Sequence, residues 1–328
     1  MATNTINENV EQAILDFGTI KQAIIDKGVE VPEGTPTSQY ATKIGEIQSG
    51  GSSSDDFKGM VERTATEVAL PSDCTKIGDH SFFHYASLTS VDIPESVTSI
   101  ENSAFRECYK LTLISLPNSI TSIGDYAFTD CTILALTSLP SSLNSIGHAA
   151  FSGCKSLALT SLPSGITSIG SHCFQSCPKL ALTSLPEGLK NITGYVFDGC
   201  TNLSLTSLPE GVTSIGSYAF QSCTNLALTS LPSGITSIES NCFQNCSKLA
   251  LTSLPSSLTR IEGYAFYNCT GLTEITFEGT PTSLASNTFS GCTNLTTIRV
   301  PWAEGEVAGS PWGASSASVI YGYTPETT

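Results

Sequence analysis

The apolar positions of this chain recur at a step of 23 residues, which is far longer than the period of a helix or a strand. Phenylalanine returns at each step from Phe82 to Phe289, proline from Pro71 to Pro255, and cysteine from Cys108 to Cys292. An isoleucine column and a leucine column keep the same step. A unit this short cannot bury its own apolar side, so the pattern predicts a solenoid of stacked units.

Each unit contains one strand and two inward-facing turns. In "LTSVDIP" the apolar spacing predicts a short strand that ends at Pro94, because proline has no amide hydrogen to donate. "SVTSIG" then turns Val97 and Ile100 inward, and "NSAFREC" places Phe105 and Cys108 inside. The strand pattern recurs from residue 65 in eleven units, which predicts a parallel sheet about 50 Å long at about 4.8 Å per strand.

The two motifs L-x-x-I-x-L-P and I-x-x-x-x-F-x-x-C at this step resemble the BspA-type leucine-rich repeat. The resemblance covers about residues 60–300. It implies a repeat solenoid with a parallel β-sheet on one face. Members of that family are mostly surface adhesion or interaction proteins, and the resemblance implies no more than this about function.

The N-terminal residues follow a different pattern, with apolar positions in a 4-3-4-3-4 spacing. This candidate anchor or oligomer seam consists of Ile6, Val10, Ala13, Phe17, Ile20 and Ile24. It fits either a short helix that folds back on a second helical piece at residues 38–47, or a self-associating stalk. "QSGGSSSDD" then reads as a flexible linker. We therefore predict four parts: a helical module (1–48), a linker (49–59), the solenoid (60–299) and a C-terminal cap (300–328).

Both ends of the chain resemble bacteriophage virion proteins. "IKQAIIDKGVEVPEGTPTSQYATKIGEIQSGG" is similar to N-terminal segments of tail-fibre and head-fibre proteins. "VPWAEGEVAGSPWGASSASVIYGYT" is similar to the C-terminal cap of phage-borne proteins of this repeat class. The resemblance implies attachment of the N-terminal module to a phage particle. In the cap, Trp302 and Trp312 are expected to cover the open end of the core.

The charge of the chain excludes some classes of partner. It has 29 acidic and 14 basic residues and a net charge of −15. This balance argues against charge-driven binding to nucleic acid or to an anionic membrane. We find no signal peptide pattern and no apolar run of membrane-spanning length, so we expect assembly in a host cytoplasm and no membrane insertion.

The chain has twelve cysteines, nine of them in one column. We interpret them as buried free thiols that act as small apolar side chains. A disulfide framework is the weaker alternative, because nine equivalent positions cannot all pair with equal neighbours. Zinc is weaker still, because no C-x-x-C occurs. We expect no metal and no cofactor.

In the middle repeats, "LALTSLP" has threonine where the first strand has Val91, and its leucine lies one position earlier. Either a local bulge turns these leucines inward, or they form an exposed ribbon beside a serine column. We favour the bulge, because the end repeats have polar residues (Ser90, Glu274) in the leucine column. The leucines are Leu136, Leu159, Leu182, Leu205, Leu228 and Leu251, with Leu113 before them. The serines are Ser115, Ser138, Ser161, Ser184, Ser207, Ser230 and Ser253. Together the two columns are the candidate binding face.

A further column combines histidine and tyrosine: His80, Tyr126, His172, Tyr195, Tyr218 and Tyr264. It fits a convex stripe of rings packed edge to edge, or a surface on which sugar rings stack. No nucleophile–base set or phosphate loop is apparent, so we predict that the protein is not an enzyme and has no catalytic residues.

The leading hypothesis is a phage virion accessory or fibre protein. Residues 1–50 would bind other virion proteins, and the solenoid would bind a host surface protein, a glycan or a neighbouring virion protein, with avidity from a homo-oligomer or from many copies. The alternative is a bacterial surface adhesin with the same repeats.

Overall fold

The computed structural model describes residues 65–70 and 72–324, which form a parallel β-solenoid. These described residues contain no helix, and they therefore include no apolar helix of membrane-spanning length. The predicted helical module (1–48), with its apolar seam, and the linker (49–59) lie outside them. The leucine-rich repeat architecture predicted from the 23-residue period is confirmed for the described residues.

The strands lie on two sides of the solenoid. The first side follows the leucine columns, and the second side follows the isoleucine column. First-side strands are β1 (Glu67–Ala69), β3 (Ser90–Asp92), β11 (Ser253–Leu254), β13 (Glu274–Phe277), β15 (Thr297–Arg299) and β16 (Ser318–Ile320). Second-side strands are β2 (Lys76–Ile77), β4 (Ser99–Ile100), β5 (Ser122–Ile123), β6 (Ser145–Ile146), β7 (Ser168–Ile169), β8 (Asn191–Ile192), β9 (Ser214–Ile215), β10 (Ser237–Ile238), β12 (Arg260–Ile261) and β14 (Ser283–Leu284).

All strand pairs are parallel, and they form four sheets. On the second side the order is β2-β4-β5-β6-β7 and then β8-β9-β10-β12-β14. On the first side β1 pairs with β3, and β11-β13-β15-β16 forms the other sheet. Partners such as Ile100 and Ile123 are one repeat apart, so equivalent residues lie on top of each other as the period predicts.

Two details differ from the prediction. The second-side sheets were not predicted, because two-residue strands give no visible alternation in sequence. The continuous first-side sheet of eleven strands is wrong, because no first-side strand occurs between β3 and β11. The second side has a smaller break between β7 and β8. There the hydroxyl of Thr193 donates to Ile169 O at 3.1 Å, whereas Gly170 donates its amide to Ile146 O.

Two columns run through the interior of the solenoid. The phenylalanine rings stack from Phe82 to Phe289 with centroids 5.1–5.8 Å apart, and Phe105 to Phe289 are fully buried. Each column cysteine donates its thiol hydrogen to the carbonyl of the phenylalanine 26 residues earlier, as Cys177 does to Phe151 O at 3.1 Å. Val97, Ile100, Phe105 and Cys108 lie inside, which confirms the predicted turns.

The C-terminal end of the core is covered by tryptophan. Trp302 and Trp312 are buried and contact each other and Phe277, with ring centroids 5.2–6.1 Å apart. The Trp312 ring nitrogen donates to Ala308 O at 2.8 Å. Beside them β16 continues the first-side sheet through its pairing with β15. These contacts close the end of the stack, which a terminal repeat must do.

Candidate functional site

The shifted leucines of the middle repeats lie in the core. Leu136, Leu159, Leu182, Leu205 and Leu228 are fully buried and Leu251 is 1% exposed. The inward bulge is therefore confirmed, and the exposed leucine ribbon is wrong. These leucines cannot be part of a binding face, since their side chains fill the interior space that Val91 fills in β3.

The main chain shows how the leucine moves. In the C-terminal repeats Thr296 N donates to Thr273 O at 2.9 Å, between equivalent positions. In the middle repeats Ala158 N donates instead to Leu136 O at 3.1 Å, a step of 22 residues rather than 23. The next two residues of each unit, threonine and serine, then both point outward. Successive side chains of a strand point to opposite faces, so these two residues cannot both lie within one strand.

The result is a surface that we call the serine–threonine face. It comprises Ser115 and the pairs Thr137–Ser138, Thr160–Ser161, Thr183–Ser184, Thr206–Ser207, Thr229–Ser230 and Thr252–Ser253. All are exposed except Ser253, which is half-buried in β11. The serine column thus lies at the surface. The interpretation with an exposed leucine ribbon required this of the serines, although the leucines themselves are buried. The threonine column beside it was not included among the candidate residues, although its exposure follows from the bulge.

The hydroxyls of this face form no hydrogen bond with any of the described residues. The threonine column of the second side differs. Thr236 Oγ1 donates to Thr213 O at 3.2 Å, and Thr98, Thr121, Thr213, Thr259 and Thr282 make the equivalent bond. A hydroxyl can donate one hydrogen bond and accept two. The serine–threonine face therefore offers a long array of hydrogen-bonding groups that residues 65–70 and 72–324 do not use.

The aromatic column forms a row of rings that differs from the predicted edge-to-edge stripe. His172, Tyr195 and Tyr218 stack face to face, with centroids 4.5–4.6 Å apart. His148 joins Tyr126 to His172 through edge contacts. Inside the stack each ring face is covered by its neighbour. The faces shared by His172, Tyr195 and Tyr218 are therefore not available to a sugar ring.

The buried cysteines are expected to be poorly reactive. Burial raises the pKa of the Cys108 thiol to about 12 and that of Cys292 to about 11, and it raises the pKa of the fully buried column cysteines as well. The reactive species is the thiolate, so these groups are poor nucleophiles at neutral pH. Eleven of the twelve cysteines are buried and Cys74 is half-buried, in agreement with the interpretation as free thiols. Among residues 65–70 and 72–324, no group of three potential metal ligands clusters.

Comparison with known proteins identifies the repeat. The family model for the BspA type leucine rich repeat region matches in six copies, over residues 57–181, 131–250 and 167–296. The chain belongs to this family. Among solved structures it is similar to a leucine-rich repeat protein from Bacteroides ovatus, at 26% identity over 80% of this chain and 76% of that one, with a TM-score of 0.50. No curated protein sequence is detectably similar.

Two other members of this group of structures differ in extent. The leucine-rich repeat protein of T. pallidum is 34% identical, over 49% of this chain and 78% of that one, with a TM-score of 0.43. The pneumococcal vaccine antigen PcpA is 19% identical, over 79% of this chain and 80% of that one, with a TM-score of 0.48. Membership of the BspA-type family accounts for the repeat.

Proposed function

We propose that this BspA-type protein is a phage virion accessory or fibre protein whose solenoid binds an uncharged, hydroxyl-rich polymer on a host surface, for which a neutral glycan is the fitting chemistry. The observation that carries the ligand class is the set of exposed hydroxyls on the serine–threonine face that have no hydrogen-bond partner among the described residues. Threonine and serine hydroxyls donate and accept, as sugar hydroxyls do.

The absence of charge in the serine and threonine columns supports the same ligand class. From Thr137 to Ser253 each exposed position of these two columns is a threonine or a serine. Such a surface has no ion to attract an acidic or basic partner. Each contact contributes little, so affinity comes from repetition along the solenoid and from several copies on one particle.

The matched variants for testing this come from a single repeat type. "LTSLPSGITSIG" contains one Thr-Ser pair on each side, and the full sequence has it at Thr160–Ser161 with Thr167–Ser168. The same stretch, with Glu239 in place of the final glycine, has the pairs at Thr229–Ser230 and Thr236–Ser237. We expect alanine at the two first-side pairs to weaken binding by roughly tenfold or more, at about 1 kcal/mol or less per hydrogen bond. Alanine at the two second-side pairs is the control.

The measurement is binding of the full chain to an array of neutral and charged glycans, followed by binding of the variants to the best neutral glycan. Preference for charged glycans, or equal loss in both variants, would contradict the proposal. Binding should change little with salt, because the face contributes no ion pairs.

The virion role rests on the resemblance of both chain ends to phage fibre proteins, with residues 1–50 as the attachment segment to other virion proteins. Mass spectrometry of purified particles, combined with cross-linking, tests it. We expect cross-links from residues 1–50 to particle proteins. Cross-links from the solenoid alone would overturn the anchor assignment, and recovery from a bacterial cell surface instead of particles would support the alternative of a surface adhesin.

A further inference from the structure

The first side of the solenoid changes register abruptly between β3 and the next repeat. In β3 the inward residue is Val91, and in the next repeat Leu113 has taken over that role. Thr112 N still donates to Thr89 O at 2.9 Å, and Thr121 N donates to Thr98 O at 2.8 Å. Between these two bonds no main-chain hydrogen bond joins the two described segments, because β3 pairs only with β1.

A cavity of about 320 Å³ lies at this junction. Its lining includes Ile93 and Leu113, both half-buried, and Ile114 at its mouth. The volume is at the lower end of the range for small ligand sites, about 300–1,000 Å³. It can accommodate an apolar side chain.

Ile114 is the unusual residue of this junction. Its side chain is 71% exposed, the largest exposure of any large apolar residue among the described positions. In each of the next six repeats the same column has threonine, from Thr137 to Thr252. The fold therefore does not require an apolar side chain there. Its exposure leaves apolar area that a partner could bury.

The charge of the cavity is one-sided. Asp92 and Glu95 line it, and the described residues of the lining include no lysine or arginine. Neither carboxylate forms an ion pair with another described residue. An occupant that carries positive charge beside an apolar group would satisfy both features of the site.

We propose that this junction docks a peptide segment of a partner protein, in which one apolar side chain enters the cavity and is flanked by lysine or arginine. The apolar side chain would contact Ile93, Leu113 and Ile114, and the flanking cations would contact Asp92 and Glu95. An added strand does not fit between the repeats, because the bonds at Thr112 and Thr121 hold them at neighbouring positions. A neutral glycan does not account for Ile114. The site is thus separate in chemistry from the serine–threonine face, although Ser115 borders both.

The test uses the full chain with carbon-13 labels on its isoleucine δ1 methyl groups. The probe is the capped peptide Gly-Lys-Leu-Lys-Gly, and the counterpart Gly-Glu-Leu-Glu-Gly controls for charge. We expect the lysine peptide to shift the methyl signals of Ile93 and Ile114 and to bind more weakly as salt increases. Ile133, which is exposed but outside the cavity, should not respond.

Ile114→Thr introduces the residue of the next six repeats, so it is expected to fold. The Ile93 methyl signal reports peptide binding in this variant. We expect the substitution to weaken that binding by about tenfold. Ile133→Thr is the matched control and should have no effect. Glu95→Gln should weaken binding by about threefold and provides an independent arm if Ile114→Thr fails to fold.

Several results would overturn the proposal. These are no shift with the lysine peptide, equal shifts with the glutamate peptide, or equal losses in Ile114→Thr and Ile133→Thr. A concentration-dependent dimer that Ile114→Thr abolishes would also overturn it, because the occupant would then be a second copy of this chain.

Discussion

Residues 134–139 and 295–300 occupy equivalent positions of the first side and fill the same interior with different residues. The middle segment buries Leu134, Leu136 and Leu139. The C-terminal segment buries Leu295, Ile298 and Val300. Both therefore bury three apolar side chains per repeat, but only the second segment contains a strand, β15.

The difference shows that the core constrains the number of inward-facing residues in each repeat more tightly than it constrains their register. In the C-terminal segment Ile298 and Val300 are two positions apart, which is the strand period. In the middle segment two consecutive residues follow Leu136 before the next inward leucine, and both must point outward. The middle repeats therefore lack the first-side strand pairing and instead expose the hydroxyls of the serine–threonine face.

The largest expected effect tests what the two regions share, which is the cysteine column. The pKa of the buried thiols is raised above the unfolded value near 9. Their stabilising contribution is thus complete below pH 9 and is lost as pH rises toward the folded pKa, about 11 for Cys292 and about 12 for Cys108. In this window each thiol lowers the free energy of unfolding by roughly 1.4 kcal/mol per pH unit.

Urea unfolding in reducing buffer at pH 7, 9 and 10 measures this loss. We expect unchanged stability up to about the unfolded thiol pKa and a loss of several kcal/mol above it. Cys108→Ala should reduce the slope by roughly 1.4 kcal/mol per pH unit. Equal stability at pH 7 and pH 10 would show that the thiols are not buried as described.

The next effect compares one column across the two regions. Leu182→Ala removes a fully buried side chain and should cost about 2–5 kcal/mol of unfolding free energy. Glu274→Ala changes the equivalent, exposed residue of β13 and should alter it by about 0.5 kcal/mol or less. Urea unfolding of both variants measures the difference. Similar losses in the two variants would break the comparison.

The smallest expected effect comes from a variant that tests whether the position of the apolar residue sets the register of the first-side segment. Leu182→Glu with Thr183→Ile reproduces the Glu274–Ile275 pair of β13. We expect this double variant to recover about 1–2 kcal/mol relative to Leu182→Glu alone, because one apolar residue is again available for the interior. Hydrogen exchange at residue 183 should slow as the strand forms. A double variant less stable than Leu182→Glu would mean that the neighbouring repeats impose the register.

The sequence by itself determined the repeat and its contents. The 23-residue period places equivalent residues in columns, and stacking buries Phe105, Cys108 and Ile100 as predicted. It also limited the shifted leucines to two arrangements. The reason is that a repeat too short to have its own core must bury its recurrent apolar side against the neighbouring repeats.

Only the tertiary structure decided which arrangement forms and where it begins. The burial of Leu136 depends on the interior space left by its neighbours. The Thr137 hydroxyl has no hydrogen-bond partner among the described residues, and this depends on which carbonyls lie nearby. The two-residue strands of the second side exist only through pairing between repeats, since two residues have no period of their own. Likewise, the cavity beside Ile114 arises from a mismatch between two repeats, and such contacts are set by the stacked chain rather than by any single unit.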